Sequence, residues 1–258
     1  MTHPYFAGTR HPRVLAHRGL VPASADAAWV WENSAAAFAA AHAAGAEYIE
    51  TDCQVSVDGD VVLFHDDTLQ RLVGDPRSVS EVRTAELRAL FEDHGGLLTV
   101  AEALDAFPDI RFNIDLKTDA AAEPIGALVA AHTERVLLTS FSDRRRRAAV
   151  AATMSAGAAL RPATSGGQST ILAVRAASAV GLSPTRMLAE VDALQIPERH
   201  SGIRVLTPAL LRAAHAHDVE VHVWTVNQPA DMRRLVDAGV DGVVSDRADL
   251  ALRTLSQG

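Results

Sequence analysis

Cysteine, long apolar runs and lysine are all scarce in this chain of 258 residues. Its single cysteine, Cys53, has no second cysteine to pair with, so an intrachain disulfide is excluded. No stretch of about 18 consecutive apolar residues occurs, and the polar N-terminal residues lack the apolar core of a signal peptide. We therefore expect no membrane span and a cytoplasmic location.

Positive charge is also in short supply. The chain has 24 basic residues against 32 acidic ones, a net charge of −8, and only one of the basic residues is a lysine, Lys117. This balance argues against a nucleic-acid-binding surface, which needs a basic stripe, and against a polybasic membrane-binding patch. An anionic small-molecule substrate would therefore depend on a few local cations or on a metal ion.

Short apolar runs alternate with longer alanine-rich amphipathic stretches, a pattern typical of repeated βα units around a parallel sheet. We predict eight barrel strands, the number that closes a (β/α)8 TIM barrel, and one extra hairpin strand. The eight are 14–17, 48–55, 111–117, 135–140, 158–160, 193–196, 220–225 and 242–245, and the hairpin strand is 61–65. No long linker divides residues 1–258, so we expect a single α/β domain with a small insertion at about 66–96, after the second barrel strand.

Two predicted strands carry polar residues with a period of two, although parallel barrel strands are usually apolar throughout. Glu50 and Asp52 share one face of the first, and Asp115 and Lys117 share one face of the second. Because isolated buried charges are costly, we expect these groups at the barrel mouth, where they can meet a ligand or a metal ion. Three carboxylates without a cysteine suit one hard divalent cation, Mg²⁺ or Ca²⁺. A strand face turned towards solvent is the alternative.

Two histidines are predicted to end strands that face the same mouth, His17 in the run AHRG and His65 in the run VVLFH. Imidazole titrates near neutral pH, so one ring could accept a proton while the other donates one. Arg18 and Lys117 could offer positive charge to a phosphoryl group, and Trp224 could form a wall of the pocket. A surface ion pair is the alternative for Arg18, and a place in the core is the alternative for Trp224.

At this point the chain resembles the glycerophosphodiester phosphodiesterase family. Each matching string is short, but together they run in the family's order along nearly the whole chain. The strings are LAHRG at 15–19, EN at 32–33, IETDCQ at 49–54, FHDDTL at 64–69, FNIDLK at 112–117, TSF at 139–141, VHVWTVN at 221–227 and GVDGVVSD at 239–246.

The resemblance implies a (β/α)8 barrel that cleaves glycerophosphodiesters to glycerol 3-phosphate and an alcohol with the help of a divalent cation. It makes His17 and His65 the catalytic pair. The metal ligands it implies are Glu50, Asp52 and Asp115, and the substrate contacts are Arg18, Lys117 and Trp224. The family usually has glutamate where this chain has Asp115. The shorter side chain could turn a direct metal bond into a water-mediated one.

Two other functions stay open at this stage. A related lysophospholipase D would need an apolar groove or an interfacial surface, and the sequence indicates no exposed aromatic cluster or basic amphipathic helix. A non-catalytic barrel that binds a phosphate ligand would be favoured if either histidine were missing, and neither is. The alcohol that leaves, the metal, the role of each histidine, the attacking group and the oligomeric state are not decided by the sequence.

Overall fold

The structure is a computed structural model that describes residues 3–22 and 29–256. It contains eleven β-strands within those residues. They are β1 (Arg13–His17), β2 (Tyr48–Val55), β3 (Val61–Leu63), β4 (Arg111–Leu116), β5 (Val136–Thr139), β6 (Ala163–Thr164), β7 (Ala193–Pro197), β8 (Arg199–His200), β9 (Ile203–Arg204), β10 (Glu220–Trp224) and β11 (Gly242–Ser245).

Eleven α-helices are assigned in the same residues, most of them in the connections between barrel strands. They are α1 (Ala35–Ala43), α2 (Gln70–Val73), α3 (Thr84–Phe91), α4 (Val100–Ala106), α5 (Pro124–Val129), α6 (Asp143–Ser155), α7 (Gln168–Ala179), α8 (Thr185–Leu188), α9 (Pro208–His215), α10 (Pro229–Asp237) and α11 (Ala248–Leu255). Among the helices of the described residues, none is both long and apolar enough to cross a membrane.

Eight parallel strands form a nearly closed barrel, which confirms the predicted TIM-barrel architecture. Around the ring the order is β6, β5, β4, β2, β1, β11, β10 and β7, and β3 pairs antiparallel with β2 as the predicted hairpin strand. The gap between β6 and β7 is narrowed by a parallel bridge between Ser165 and Ala193. The first barrel strand, β1, pairs with the last, β11, so these two strands are neighbours in the ring.

The fifth barrel strand along the chain, β6, is the one that we placed wrongly. The prediction was 158–160, whereas the structure has β6 at Ala163–Thr164, after a largely exposed turn. The segment 158–160 has the more apolar composition, but it follows the end of α6 at the surface. The buried strand contains Thr164, whose hydroxyl donates to Leu138 O. Burial of a satisfied polar side chain here hides the strand from a search for apolar runs.

Side-chain caps begin several of the helices. Thr99 and Glu102 form the capping box of α4, and Thr207 caps α9. The N-cap of α1 is Ser34, whose hydroxyl accepts from Ala37 N, and not the preceding Asn33. The Asn33 amide is instead turned towards β2, where it donates to Asp52 and accepts from the Thr51 hydroxyl. Asn33 thus supports β2, the strand that carries Glu50 and Asp52.

The barrel strands are buried on both faces, as a sheet surrounded by helices requires. One large apolar cluster lies between the strands and the surrounding helices, and a smaller one, with Tyr5, Leu15 and Val244, lies inside the ring. Residues 66–96 form short helices with an apolar cluster of their own, which includes Leu69 and Phe91. The division into one domain with an insertion at 66–96 stays a prediction, and the extreme ends of that domain, 1–2 and 257–258, lie outside the described residues.

Candidate active site

A cavity of about 260 Å³ opens at the carboxyl ends of the barrel strands. This is the end of a TIM barrel at which active sites are found. All eight side chains that we singled out from the sequence line it: His17, Arg18, Glu50, Asp52, His65, Asp115, Lys117 and Trp224. The predicted site residues therefore meet at one place, although they are spread over more than 200 residues of the chain.

Strand register explains how four of these side chains come together. His17 is the partner of Glu50 across β1 and β2, and Asp52 is the partner of Asp115 across β2 and β4. Partners in a parallel sheet project to the same side, so all four point into the barrel. Glu50 and Asp52 lie two residues apart on β2, which sets them at successive levels of one face.

Lys117 lies between two of the carboxylates. Its Nζ is 2.8 Å from Asp52 Oδ1 and 2.7 Å from Asp115 Oδ2. Arg18 approaches Asp52 from the other side, with its Nε 3.1 Å from Oδ2. Burial alone would raise the pKa of Asp52, but the positive charges of Lys117 and Arg18 outweigh it and lower that pKa. Asp52 is therefore a fixed negative charge at the centre of the site.

Positive charge compensates the other two carboxylates, Glu50 and Asp115, less completely. Burial and the neighbouring charge of Asp52 raise the pKa of Glu50 to about 8. Burial is also the main reason that the pKa of Asp115 rises to about 6, against the opposing effect of Lys117. Asp115 Oδ1 is buried and finds no hydrogen-bond partner among the described residues. An unpaired oxygen next to a carboxylate that resists ionisation indicates room for one more cation.

The chemistry of this donor set fits a hard divalent cation, which prefers carboxylate oxygens. Within residues 3–22 and 29–256, however, no three potential metal-binding side chains are arranged as a ready ion site. The Lys117 ammonium bridges Asp52 and Asp115. Glu50 and the free oxygen of Asp115 could engage an ion with Lys117 in place, whereas Asp52 could join them only if one of its cationic neighbours shifted.

Each of the two histidines has a carboxylate at its Nδ1 atom. His17 Nδ1 lies 2.5 Å from Asp246 Oδ1, and His65 Nδ1 lies 2.6 Å from Asp66 Oδ1. Burial would lower the pKa of His17, but the hydrogen bond to Asp246 and the charge of Glu50 raise it. Glu50 Oε2 is 3.8 Å from the Nε2 atom of the same ring. Both Nδ1 atoms are therefore paired with acids that we had not selected from the sequence.

The supporting acids could have been noticed in part. Asp66 directly follows His65 in FHDDTL, and Asp66 Oδ2 in turn accepts from Arg71 Nε. Asp246 ends the string GVDGVVSD, but it is 229 residues away from His17 along the chain. Only the pairing of β1 with β11 makes the two neighbours.

Arg18 is an internal ion-pair residue and not a surface one. Its backbone has a positive φ of 56°, and its Nη1 lies 2.8 Å from Glu32 Oε1 in addition to the contact with Asp52. Glu32 also pairs with Arg71. The guanidinium is therefore held at the edge of the cavity by two acids.

The opposite wall of the cavity is apolar. Phe141 meets Trp224 edge to face with ring centroids 6.0 Å apart, and Ile171 and Leu172 of α7 continue this wall. More than half of the surface of Phe141 and of Leu172 is exposed. Phe141 is exposed and Trp224 is partly buried, so only one of the two rings is open to solvent. The sequence did not indicate this wall because Phe141 and Leu172 are single apolar residues on separate connections.

The loop that joins β6 to α7 completes the rim, and Asp143 holds it. The Asp143 carboxylate accepts from Gly167 N at 3.0 Å, Thr170 N at 2.9 Å and Thr170 Oγ1 at 2.8 Å. It also accepts from the Ser169 hydroxyl and pairs with buried Arg146. A Cβ atom at Gly167 would lie 2.8 Å from Asp143 N, so the close approach requires glycine. One acid at the start of α6 thus caps the neighbouring helix.

Comparisons with known proteins bear on the family and the fold of this chain. The model of the glycerophosphoryl diester phosphodiesterase family matches residues 17–250. A probable glycerophosphodiester phosphodiesterase 2 of Mycobacterium tuberculosis is 39% identical over 224 residues, which cover 84% of this chain and 83% of that protein. The crystal structure of a glycerophosphodiester phosphodiesterase from Thermotoga maritima has a TM-score of 0.72 and 24% identity, and the match covers 95% of this chain and 99% of that one. A phosphodiesterase of Oleispira antarctica, solved in complex with the product sn-glycerol-3-phosphate, has a TM-score of 0.71 and 21% identity, and the match covers 95% of this chain and 97% of that one. At such identities the two structures establish a shared fold.

Proposed function

Because the chain belongs to the glycerophosphoryl diester phosphodiesterase family and is an enzyme of that kind, we propose that it hydrolyses small glycerophosphodiesters to glycerol 3-phosphate and an alcohol. The observation that carries the proposal is the meeting of two histidines, three carboxylates and two cationic side chains around one cavity. The Oleispira antarctica phosphodiesterase, solved with glycerol 3-phosphate as its product, supports a small-molecule substrate.

His17 and His65 act in this proposal as the acid–base pair. Cleavage of a phosphodiester leaves negative charge on the departing oxygen, and a hydroxyl must lose its proton as it attacks. One imidazole protonates the leaving alcohol, while the other removes the proton from the attacking group. The attacker is either water or a glycerol hydroxyl of the substrate, which would give a cyclic phosphate first.

Arg18 and Lys117 balance the negative charge of the phosphoryl oxygens. Both are held in place by acids on the protein, and both line the cavity. Fixed cations in a site of low water content stabilise developing charge without having to reorganise. Trp224 lies on the apolar side and contacts the remainder of the substrate.

The family is generally dependent on a divalent cation. We propose one such ion, Mg²⁺ or Ca²⁺, held by Glu50, Asp52 and Asp115. The unpaired Asp115 oxygen and the raised pKa of Glu50 support this assignment. When bound, the ion would add positive charge for the phosphate and relieve the repulsion among the three acids. Asp115, being shorter than a glutamate, is the least secure of the three ligands.

The experiment is an assay of glycerol 3-phosphate release from a panel of glycerophosphodiesters, with and without chelator. We expect glycerophosphocholine or glycerophosphoethanolamine to be cleaved, chelator to abolish the reaction, and Mg²⁺ or Ca²⁺ to restore it. The matched control is His17→Ala, which keeps the carboxylates but lacks one proton-transfer group. Substrate binding without product formation would contradict hydrolysis and favour the non-catalytic barrel.

The apolar wall specifically favours a second candidate, a lysophospholipase D-like activity. Phe141, Trp224 and Leu172 offer a surface on which an acyl chain could lie, next to the charged half of the same cavity. The two activities are separated by comparing glycerophosphocholine with lysophosphatidylcholines of increasing chain length. Cleavage of the long-chain lysophospholipids alone would replace the first proposal.

A further inference from the structure

We propose that Asp246, itself held by Asn227, is a positioning residue that fixes the tautomer and the orientation of the His17 ring. The inference rests on the proposed acid–base role of His17. It assigns a role to Asn227 and Asp246, which follow the ends of β10 and β11 and take no part in the chemistry proposed above.

Asp246 contacts the His17 ring directly. Asp246 Oδ1 lies 2.5 Å from His17 Nδ1. An ionised carboxylate can only accept hydrogen bonds, so the ring must present N–H at Nδ1. In the neutral ring the other nitrogen, Nε2, is then free of a proton. That atom is the one on the side of Glu50, which lies 3.8 Å away and lines the cavity.

Asp246 is in turn held by Asn227, on the side away from His17. Asn227 Nδ2 donates to Asp246 Oδ2 at 2.7 Å, so the carboxylate bridges the amide and the imidazole. The Asn227 Oδ1 atom accepts from Asp246 N at 3.0 Å and from Ser245 Oγ at 3.1 Å. Asn227 is therefore hydrogen-bonded to both the main chain and the side chain of Asp246. The amide orientation follows from these partners, since only an oxygen can accept from Asp246 N.

Asp246 and Asn227 are attached to the barrel through the main chain. Val226 N donates to Val244 O at 2.9 Å, which ties the connection after β10 to β11. Since β11 pairs with β1, the acid reaches His17 from the neighbouring strand. A side chain with 52% of its surface exposed would normally move between rotamers, and two directional hydrogen bonds prevent that here. The arrangement therefore holds the His17 ring in one orientation.

The test is the isosteric variant Asp246→Asn, which keeps the shape and removes the acceptor-only character. We expect kcat to fall by about 10²- to 10³-fold with KM changed by less than about threefold. This lies between the roughly 10- to 100-fold loss typical of an outer-shell partner and the roughly 10⁴-fold loss when the acid behind a catalytic histidine becomes an amide. Asp246→Glu should retain more activity than Asp246→Asn, because it keeps a carboxylate. Asn227→Ala should lower kcat by about tenfold, because the acid remains but is no longer held.

A matched control is Asp231→Asn, since Asp231 is 50% exposed and pairs with Arg234 on α10, away from the cavity. Nitrogen-15 spectra of histidine-labelled protein, with the His17 signals assigned by His17→Gln, report the tautomer directly. In the wild type we expect Nδ1 to carry a proton, and in Asp246→Asn we expect that preference to be lost. A purely structural role would lower the melting temperature without this change.

The outcomes separate this inference from the proposed function. If His17→Ala turns over normally, the acid–base assignment of His17 fails, and the role of Asp246 fails with it. If His17→Ala is inactive while Asp246→Asn matches the Asp231→Asn control, the positioning role alone is refuted. If the proposal is right, adding Asp246→Asn to His17→Ala causes no further loss, because the two residues act as a unit.

Discussion

Removal of the Asp143 carboxylate should weaken both the fold and the substrate rim. Asp143 is 6% exposed and accepts four hydrogen bonds from Gly167, Ser169 and Thr170. Its partner Arg146 is buried, and the Arg146 Nε atom already has no hydrogen-bond partner in the described part of the chain. Asp143→Ala therefore leaves four donors unpaired and one buried guanidinium without its nearest acid.

The magnitude follows from the pair more than from the individual hydrogen bonds, because hydrogen bonds that share an acceptor are not additive. Breaking one side of a buried ion pair costs about 3–5 kcal/mol. For a chain of this size each kcal/mol corresponds to about 2–4 °C, so the melting temperature should fall by roughly 6–20 °C. In addition, KM should rise, since Gly166, Gly167 and Gln168 line the cavity.

The pH dependence of this stabilisation has a definite sign. Burial would raise the pKa of Asp143, but the hydrogen bonds from Ser169, Thr170 and Gly167 lower it to about 2 in the folded state. Since the unfolded value is about 4, the stabilisation is fully present above that pH and is lost as the pH falls towards 2. The difference in unfolding free energy between wild type and Asp143→Ala should therefore shrink below about pH 4.

The assay is chemical denaturation followed by circular dichroism, with Asp119→Ala as the matched control. Asp119 also pairs with two arginines, Arg144 and Arg145, but its side chain is 51% exposed. Such exposed pairs are screened by solvent and contribute little to stability. Combining Asp143→Ala with Arg146→Met should recover part of the loss, because the stranded charge is removed as well. A loss from Asp143→Ala no larger than that of the control would refute the reasoning.

Three further predictions concern the reaction. His17→Ala and His65→Ala should each lower kcat by at least about 10²-fold with the fold intact, and near-normal turnover of either purified variant would sink its assignment. Lys117→Arg should lower activity in steady-state assays, because a forked guanidinium does not fit between Asp52 and Asp115 as a compact ammonium does; wild-type kinetics would show the lone lysine to be incidental. Asp115→Ala should weaken metal affinity in calorimetric titrations, whereas Asp115→Glu should keep activity and change the preferred metal. Full activity after exhaustive metal removal, verified by elemental analysis, would overturn the metal assignment.

The parts of the site that could be predicted are those encoded within a single strand. Glu50 and Asp52 lie two residues apart, so their shared face follows from strand geometry alone. Parallel neighbours then align Asp52 with Asp115 at the same mouth. The fold was predictable for the same reason, since each βα unit has a local apolar pattern. The one misplaced strand, β6, is two residues long and contains buried threonine in place of an apolar run.

The supporting residues could not be predicted in this way, because their partners are distant in the sequence. Asp246 reaches His17 only through closure of the ring, and Asp143 caps a helix that begins 25 residues later. Phe141 and Leu172 form one wall although they belong to different connections. No periodicity links such residues. Their roles depend on the order of strands around the barrel, which the sequence pattern does not state directly.

The seam between β6 and β7 has a consequence for how the barrel opens. The bonds that cross it include Asp192 N to Thr164 O, Gly166 N to Ala193 O, and Gln195 N to the Ser165 hydroxyl. The Ser165 hydroxyl thus accepts a hydrogen bond that a main-chain carbonyl would accept in a continuous pair of strands. Local opening begins where the fewest bonds must break together, so amide hydrogens at this seam should exchange with solvent before those of β1, β2 and β4. Gly166 and Gln195 also line the cavity. A bound ligand that contacts both should therefore slow their amide exchange by holding β6 and β7 together.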